Sequence, residues 1–157
     1  MSTANKKANW RQRIKGVAMV EFVFVLPLFM ILIMATAEFG RAFQQYNTLT
    51  KSLRDGARYV AGKANIGSTQ VVNITGATRT EAQNLVVYGN TQGTGAPILP
   101  GLTTGSVTVQ DAGGGNVRIS VTYPYGSIFA FVPGFFYGGN TTTNSYDFQA
   151  AITMRAL

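Results

Sequence analysis

Residues 17–37 read VAMVEFVFVLPLFMILIMATA, and Glu21 is the only charged residue in this stretch. A helix of about 20 apolar residues is long enough to cross the hydrocarbon core of a bilayer. An uninterrupted apolar run of this length is rarely a helix of a soluble protein. The stretch therefore predicts a transmembrane helix over residues 17–37.

The basic residues are concentrated just before this stretch. The chain has 13 Lys and Arg against 6 Asp and Glu, and five of the basic residues lie within residues 6–15. Basic residues beside a transmembrane helix usually stay in the cytoplasm. Residues 1–16 are therefore predicted to be a cytoplasmic leader, with residues 63–157 in the periplasm. The remainder of the chain is close to neutral, so its charge does not favour nucleic-acid binding.

The composition excludes several kinds of chemistry. The chain contains no Cys and no His, which removes disulfides, thiol nucleophiles, Cys/His metal sites and any Ser-His-Asp triad. The six carboxylates are scattered along the chain, and no pair is placed for general acid–base work. We therefore expect no catalysis, no metal site and no cofactor.

The junction between the leader and the apolar stretch has a pattern of its own. Residues 13–22 read RIKGVAMVEF: the basic leader ends in Gly16, the apolar run begins at Val17, and Glu21 and Phe22 follow. An ionised carboxylate deep in a bilayer costs on the order of 2.5 kcal/mol or more. Glu21 therefore needs either a partner or a position near the headgroups.

The helical period continues after residue 37. Apolar residues at steps of three and four predict an amphipathic stem helix over residues 38–62, with one buried stripe. The helix as a whole is predicted to run from about Val17 to about Ala61. Arg54, Asp55 and Arg58 fall outside the stripe, where they form either a solvated face with local ion pairs or contacts with another subunit. The stripe consists of Phe39, Phe43, Tyr46, Leu49, Leu53, Ala57 and Val60.

Residues 63–157 are rich in Gly, Thr and Asn and contain the patterns of short elements. Thr78 and Glu81 have the spacing of a capping box, which predicts a helix over residues 79–88. The apolar segment 128–137 is too short to span a bilayer. It is either a loop that covers the core or an exposed patch that contacts another subunit or the membrane.

Three stretches alternate between apolar and polar residues. Residues 106–110 and 117–123 flank a Gly-rich turn at 111–116, which predicts a β-hairpin, and residues 146–154 predict a third strand. Together these patterns predict an α+β fold class, with a long N-terminal helix packed on a small antiparallel sheet.

The order of the motifs resembles that of TadE-like proteins, which belong to the Tad (tight adherence, Flp-type) pilus systems. The motifs are VEF at 20–22, LP at 26–27, EFGR at 38–41, YN at 46–47 and RDGAR at 54–58. Asp55 stands where the family frequently has Glu. The resemblance covers residues 13 to about 61 and implies a pilin-like fold. It also implies a minor pilin or pseudopilin that assists assembly of an Flp-type pilus for adhesion and biofilm formation. TadF-type relatives remain an alternative.

The same resemblance implies a processing site and a set of partners. A prepilin peptidase would cut after Gly16, and Glu21 would then pair with the new ammonium of Val17 in a neighbouring subunit and fix the helix register, with Phe22 beside it. The expected partners are the lipid bilayer, the peptidase, other pilin or pseudopilin subunits and the Tad assembly machinery. The expected location is the bacterial inner membrane, with a single pass, or the outside of the cell within a pilus.

Two other interpretations of the N-terminus stay open. Residues 35–37 read Ala-Thr-Ala, which fits a signal-peptidase site and would release a soluble binding domain. Against this, the apolar run exceeds the usual 7–15 residues of a signal peptide. The third interpretation is an uncleaved, single-pass anchor that carries a periplasmic module.

Overall fold

The computed structural model describes residues 4–66, 72–127 and 145–156, without the side chains of residues 4–15, 65, 66 and 145. The chain forms two compact units, Met1–Gly40 and Arg41–Leu157, with the boundary inside the first helix. The elements in chain order are α1 (Ala4–Lys63), β1 (Asn65–Ile66), β2 (Val72–Asn73), α2 (Gly76–Tyr88), a 3₁₀ turn (Thr104–Ser106), β3 (Val107–Gly113), β4 (Asn116–Gly126) and β5 (Ser145–Arg155).

Helix α1 begins earlier than the sequence predicted. It starts at Ala4 rather than near Val17, and it ends at Lys63 rather than near Ala61. The earlier start follows from the composition of residues 4–15, where Ala, Lys, Arg and Gln are all good helix formers. The helix also continues through Pro27 without a break.

The second unit has the predicted α+β arrangement. Residues 41–63 of α1 and helix α2 share a core with a three-stranded antiparallel sheet, whose order is β3-β4-β5. Central strand β4 places Ile119 opposite Val109 of β3 and opposite Ile152 of β5. Strands β1 and β2 form a separate two-residue pair that the sequence did not predict.

The core of this unit is apolar and fully covered. Helix α1 contributes Leu49, Leu53, Ala57 and Val60, all without exposed surface. The neighbours that bury them come from α2 and β4, and include Ala82, Val86, Val87, Val117, Ile119, Val121 and Tyr123.

The predicted apolar stripe of α1 is wrong at its first three positions. Phe39, Phe43 and Tyr46 are 74%, 61% and 41% exposed. The buried face contains smaller residues instead: Ser52 and Gly56 are buried beside the Leu and Val residues, and Ala42 and Gln45 are half-buried. A Cβ at Gly56 would lie 2.6 Å from Val86 Cγ2, so the two helices meet at a point that only glycine fits.

The start of α2 also differs from the prediction. The N-cap is Thr75, three residues before the predicted Thr78, and its Oγ1 accepts a hydrogen bond from the Thr78 backbone N–H at 3.2 Å. Thr78 is buried inside the helix. The predicted end is confirmed, since Gly89 caps the helix with a positive φ of 75° and donates its N–H to Leu85 O at 3.0 Å.

The hairpin and the third strand are confirmed, with longer strands than predicted. The turn between β3 and β4 is reduced to Gly114 and Gly115, whose φ values of 60° and 74° suit a two-residue hairpin turn. Strand β5 extends one residue beyond the predicted stretch at each end. The apolar segment 128–137 lies outside the described residues.

Candidate functional site

The predicted processing site lies on an open surface of α1. Both Gly16 and Val17 are helical and exposed, and Val17 keeps 68% of its surface accessible. A Cβ added at Gly16 would meet nothing within 4 Å. The described side chains therefore leave open space beside Gly16.

Glu21 lies one helical turn beyond Val17. Both residues line the same shallow groove on α1, together with Gly16, Val20 and Phe24. Residues four apart on a helix share a face, so the Glu21 carboxylate lies on the side of the backbone where a cut after Gly16 would create an ammonium. Phe22, 59% exposed, projects from the adjacent side of the helix.

The apolar residues around this site have no cover in their own unit. The large apolar side chains of residues 17–34 are nearly all exposed, including Phe24, Leu28 and Phe29. The only helix of the described residues that is long and apolar enough to cross a membrane, judged by length and composition, includes this stretch. This observation supports membrane anchoring of the N-terminal segment.

The structure places Arg54, Asp55 and Arg58 on the exposed face of α1, opposite the core. Lys51 lies one turn before Asp55 on the same face, and the sequence motifs had not singled it out. These side chains make no ion pair within 4.0 Å of one another. They share a surface, and that surface is basic.

A polar cluster connects α1 to α2, and the sequence did not predict it. The Tyr59 hydroxyl donates to Glu81 Oε2 at 2.6 Å, and Lys63 Nζ donates to the same oxygen at 3.1 Å. Hydrogen bonds from Tyr59 and Lys63 lower the pKa of Glu81, while Tyr59 and Glu81 raise the pKa of Lys63. The capping-box spacing of Glu81 had suggested a different role for this residue.

Arg41 lies beside a group of aromatic side chains where strand β4 ends. Arg41 Nη1 donates to Gly126 O at 3.3 Å, and its Cζ lies 5.6 Å from the centroid of the Tyr125 ring. Tyr125 stacks on Phe148 at 4.9 Å, and Tyr46 meets Phe148 edge-on at 5.8 Å. Arg41 therefore attaches the start of the stem to the end of β4, a role that the sequence motif alone did not reveal.

Tyr123, next to Phe148 of this aromatic group, adds a polar contact. Its hydroxyl lies 3.0 Å from Pro100 O and 3.1 Å from Gln45 Oε1, both of which can accept its proton. Burial raises the pKa of Tyr123. The contact joins the stem, the loop after α2 and the central strand.

The described residues contain no group of three or more acidic side chains placed to hold a metal ion. The carboxylates are distributed between the two units: Glu21 and Glu38 belong to the first, and Asp55, Glu81, Asp111 and Asp147 to the second.

Comparison with known proteins supports the resemblance seen in the motifs. Residues 16–58 match the family model described as TadE-like protein. The match begins at the predicted processing residue, Gly16, ends at Arg58, and covers a little over a quarter of the 157 residues. It confirms the TadE-like resemblance along α1 and suggests a minor pilin associated with a Tad pilus. No curated protein and no solved structure matches the chain.

Proposed function

We propose that the chain is a membrane-anchored minor pilin or pseudopilin that a prepilin peptidase processes after Gly16. In this role it assists assembly of an Flp-type pilus for adhesion and biofilm formation. One observation carries the proposal: the family match begins at Gly16 and includes residues 17–34 of α1, whose large apolar side chains are nearly all uncovered. This first part of the matched segment is the part of the chain that a membrane and neighbouring helices would enclose.

The energetics favour a lipid environment for residues 17–37. Full burial of a side chain such as Val, Leu, Ile, Phe or Met is worth about 1.5–3 kcal/mol. Residues 17–34 leave more than ten such side chains exposed, among them Phe24 and Met19. Insertion into a bilayer removes this surface from water. The basic leader then stays in the cytoplasm, and the second unit, Arg41–Leu157, which we call the head, enters the periplasm.

Cleavage after Gly16 would change the electrostatics of the groove. It leaves a positive ammonium on Val17, one turn from the Glu21 carboxylate. Within lipid, a neighbouring subunit's ammonium can pair with Glu21 and lower the cost of both charges. Buried ion pairs often do little more than compensate for their desolvation, so we assign Glu21 a role in helix register rather than in net affinity.

The basic face of α1 supplies a second possible contact between subunits. Arg54, Asp55 and Arg58 are exposed and within the family match. Isolated ion pairs on such a surface contribute only about 0–1 kcal/mol. We therefore propose that this face helps to select a partner, and that it adds little to the stability of the chain itself.

The N-terminus of the mature protein tests the proposal. Intact mass or N-terminal sequencing, with and without the peptidase, should show a peptidase-dependent start at Val17. Gly16→Val should abolish this cut, because the resemblance implies that the peptidase cuts after a glycine. A valine at this position meets open space, so the loss would not come from misfolding.

Gly40→Val is the matched control, since a Cβ there also meets nothing within 4 Å. It should be cut like the unmodified chain. An intact leader in the presence of the peptidase would contradict the proposal and leave an uncleaved anchor.

A cut after Ala37 is the alternative that one structural observation favours. The second compact unit begins at Arg41, and its first fully buried residue is Leu49. A chain that started at Glu38 would therefore keep its whole core and could be released as a soluble binding domain. Sequencing would then show a start at Glu38 that does not depend on the prepilin peptidase.

A further inference from the structure

The head has an exposed aromatic surface that its own core does not explain. Among the side chains that the structure describes in residues 41–156, four large hydrophobic ones are exposed: Phe43, Tyr46, Ile98 and Tyr146. Three of these belong to one end of the head. We call Phe43, Tyr46 and Tyr146 the aromatic rim.

Ring contacts and strand register connect the members of the aromatic rim. Tyr46 touches Phe148, which stacks on Tyr125, and Tyr125 is the register partner of Tyr146. Phe43 precedes Tyr46 by one turn of α1. The rim therefore lies where β4 ends and β5 begins, beside the first residues of the stem.

We infer that the aromatic rim lies in the phospholipid headgroup layer of the membrane that anchors the chain. The inference rests on the proposed membrane anchoring. Phe43 comes six residues after Ala37, the last residue of the predicted transmembrane stretch. Tyr and Trp are enriched at this depth, where an apolar ring and a polar tip both find favourable surroundings, and the apolar Phe43 is the rim residue nearest to the apolar stretch along α1.

The distribution of charge along the stem favours lipid as the occupant. The rim contributes rings and tyrosine hydroxyls, and the nearby Arg41 guanidinium is engaged by Gly126 O and the Tyr125 ring. The exposed charges of the stem beyond the rim begin at Lys51 and continue through Arg58. After Arg41 the stem thus changes from aromatic to charged with distance from the apolar stretch, as expected for a helix that leaves a bilayer.

Single-tryptophan fluorescence tests this inference. Trp10 is the one tryptophan of the chain, so Trp10→Phe provides a silent background in which reporters are placed one at a time. Phe43→Trp and Tyr146→Trp report on the rim, and Phe24→Trp reports on the apolar stretch. Thr153→Trp, on the exposed face of the same strand as Tyr146, is the matched control.

The full chain is measured in phosphatidylcholine nanodiscs, with and without lipids brominated near the headgroup end of their acyl chains. Near-UV circular dichroism confirms that each variant is folded. We expect bromolipid to quench the tryptophan fluorescence of Phe43→Trp and Tyr146→Trp strongly. Their emission maxima should lie at shorter wavelength than that of Thr153→Trp. Thr153→Trp should keep its intensity.

The Phe24→Trp variant distinguishes a failure of this inference from a failure of the proposed anchoring. If Phe24→Trp is quenched while both rim reporters behave like Thr153→Trp, the inference is overturned and the anchoring stands; the rim is then free for a neighbouring subunit. If Phe24→Trp is not quenched either, the proposed anchoring fails as well.

Discussion

Helix α1 belongs to both units of this molecule, and its apolar side chains are mostly exposed in the first and mostly buried in the second. In the first unit, Phe24 of α1 is 79% exposed, whereas Leu53 of the same helix has no exposed surface in the second unit. Both stretches are apolar, so hydrophobicity alone does not distinguish them. The difference lies in the cover: the second unit provides a sheet and α2, and the described part of the first provides nothing. An apolar helix without protein cover requires another solvent, and a bilayer is the one that its length fits.

The largest expected effect comes from comparing leucine truncations in the two units, one in each. Leu53→Ala should lower the free energy of unfolding of the head by about 2–5 kcal/mol, because it leaves a cavity in a closed core. Leu28→Ala, at an exposed position of the apolar stretch, should leave that free energy unchanged. Guanidinium unfolding of the full chain in detergent micelles, followed by near-UV circular dichroism, measures both. Equal losses would remove the distinction between the two regions.

Glycine substitutions sharpen the comparison at the contact between the helices. Gly56→Ala should destabilise the head by about 1–3 kcal/mol, because the added methyl overlaps Val86 and forces the helices apart. Gly62→Ala, in the same helix, meets nothing within 4 Å and should stabilise by up to about 1 kcal/mol. The same unfolding experiment applies. A neutral Gly56→Ala would show that the packing at this point is looser than described.

A smaller effect is expected from the hydroxyl of Tyr123. Tyr123→Phe keeps the ring and removes the proton shared by Gln45 and Pro100 O. A typical hydrogen bond contributes about 0.5–1.5 kcal/mol, and the head should lose an amount in this range. Tyr146→Phe, whose exposed side chain donates no hydrogen bond to the described residues, is the control and should be neutral. If both variants unfold like the unmodified chain, Tyr123 does not join the stem to the sheet.

The smallest effect concerns the pKa of Glu81. Its folded pKa lies below the ordinary 4.5, so ionised Glu81 stabilises the head above that pH, and this contribution is lost as the pH falls through the lower folded value. Tyr59→Phe should raise the pKa toward 4.5, and more than Lys63→Met does, because Tyr59 is the larger cause. Carboxyl NMR titration of ¹³C-labelled glutamate measures the shift. A larger rise in Lys63→Met would reverse this assignment.

The sequence predicted the elements whose signal is local. The apolar stretch, the hairpin and strand β5 follow from runs and alternation that no other part of the chain overrides, and Gly89 ends α2 as its backbone freedom suggests. The α+β class followed from these elements. The motifs along α1 were sufficient for the resemblance that the family match then confirmed.

Features that depend on partners distant in sequence were missed. The buried face of α1 includes Gly56, against which Val86 of α2 packs. Val86 lies 30 residues further along the chain, so the local pattern of α1 does not show this contact. The helical period predicts that Phe43 and Tyr46 lie in the core, because it shows which residues share a face of the helix. It does not show which face a sheet will cover. The same limit explains Glu81, whose partners Tyr59 and Lys63 belong to another helix.

Cysteine accessibility in native membranes tests the central claim most directly, because the chain has no cysteine of its own. Single variants Leu28→Cys and Thr153→Cys place a thiol on each region, and both positions are exposed on the protein itself. A charged maleimide needs water and a thiolate to react. We predict that Thr153→Cys is labelled from the periplasmic side and that Leu28→Cys stays unlabelled until detergent is added. Labelling of Leu28→Cys in intact membranes at the rate of Thr153→Cys would contradict the claim that lipid covers the first region.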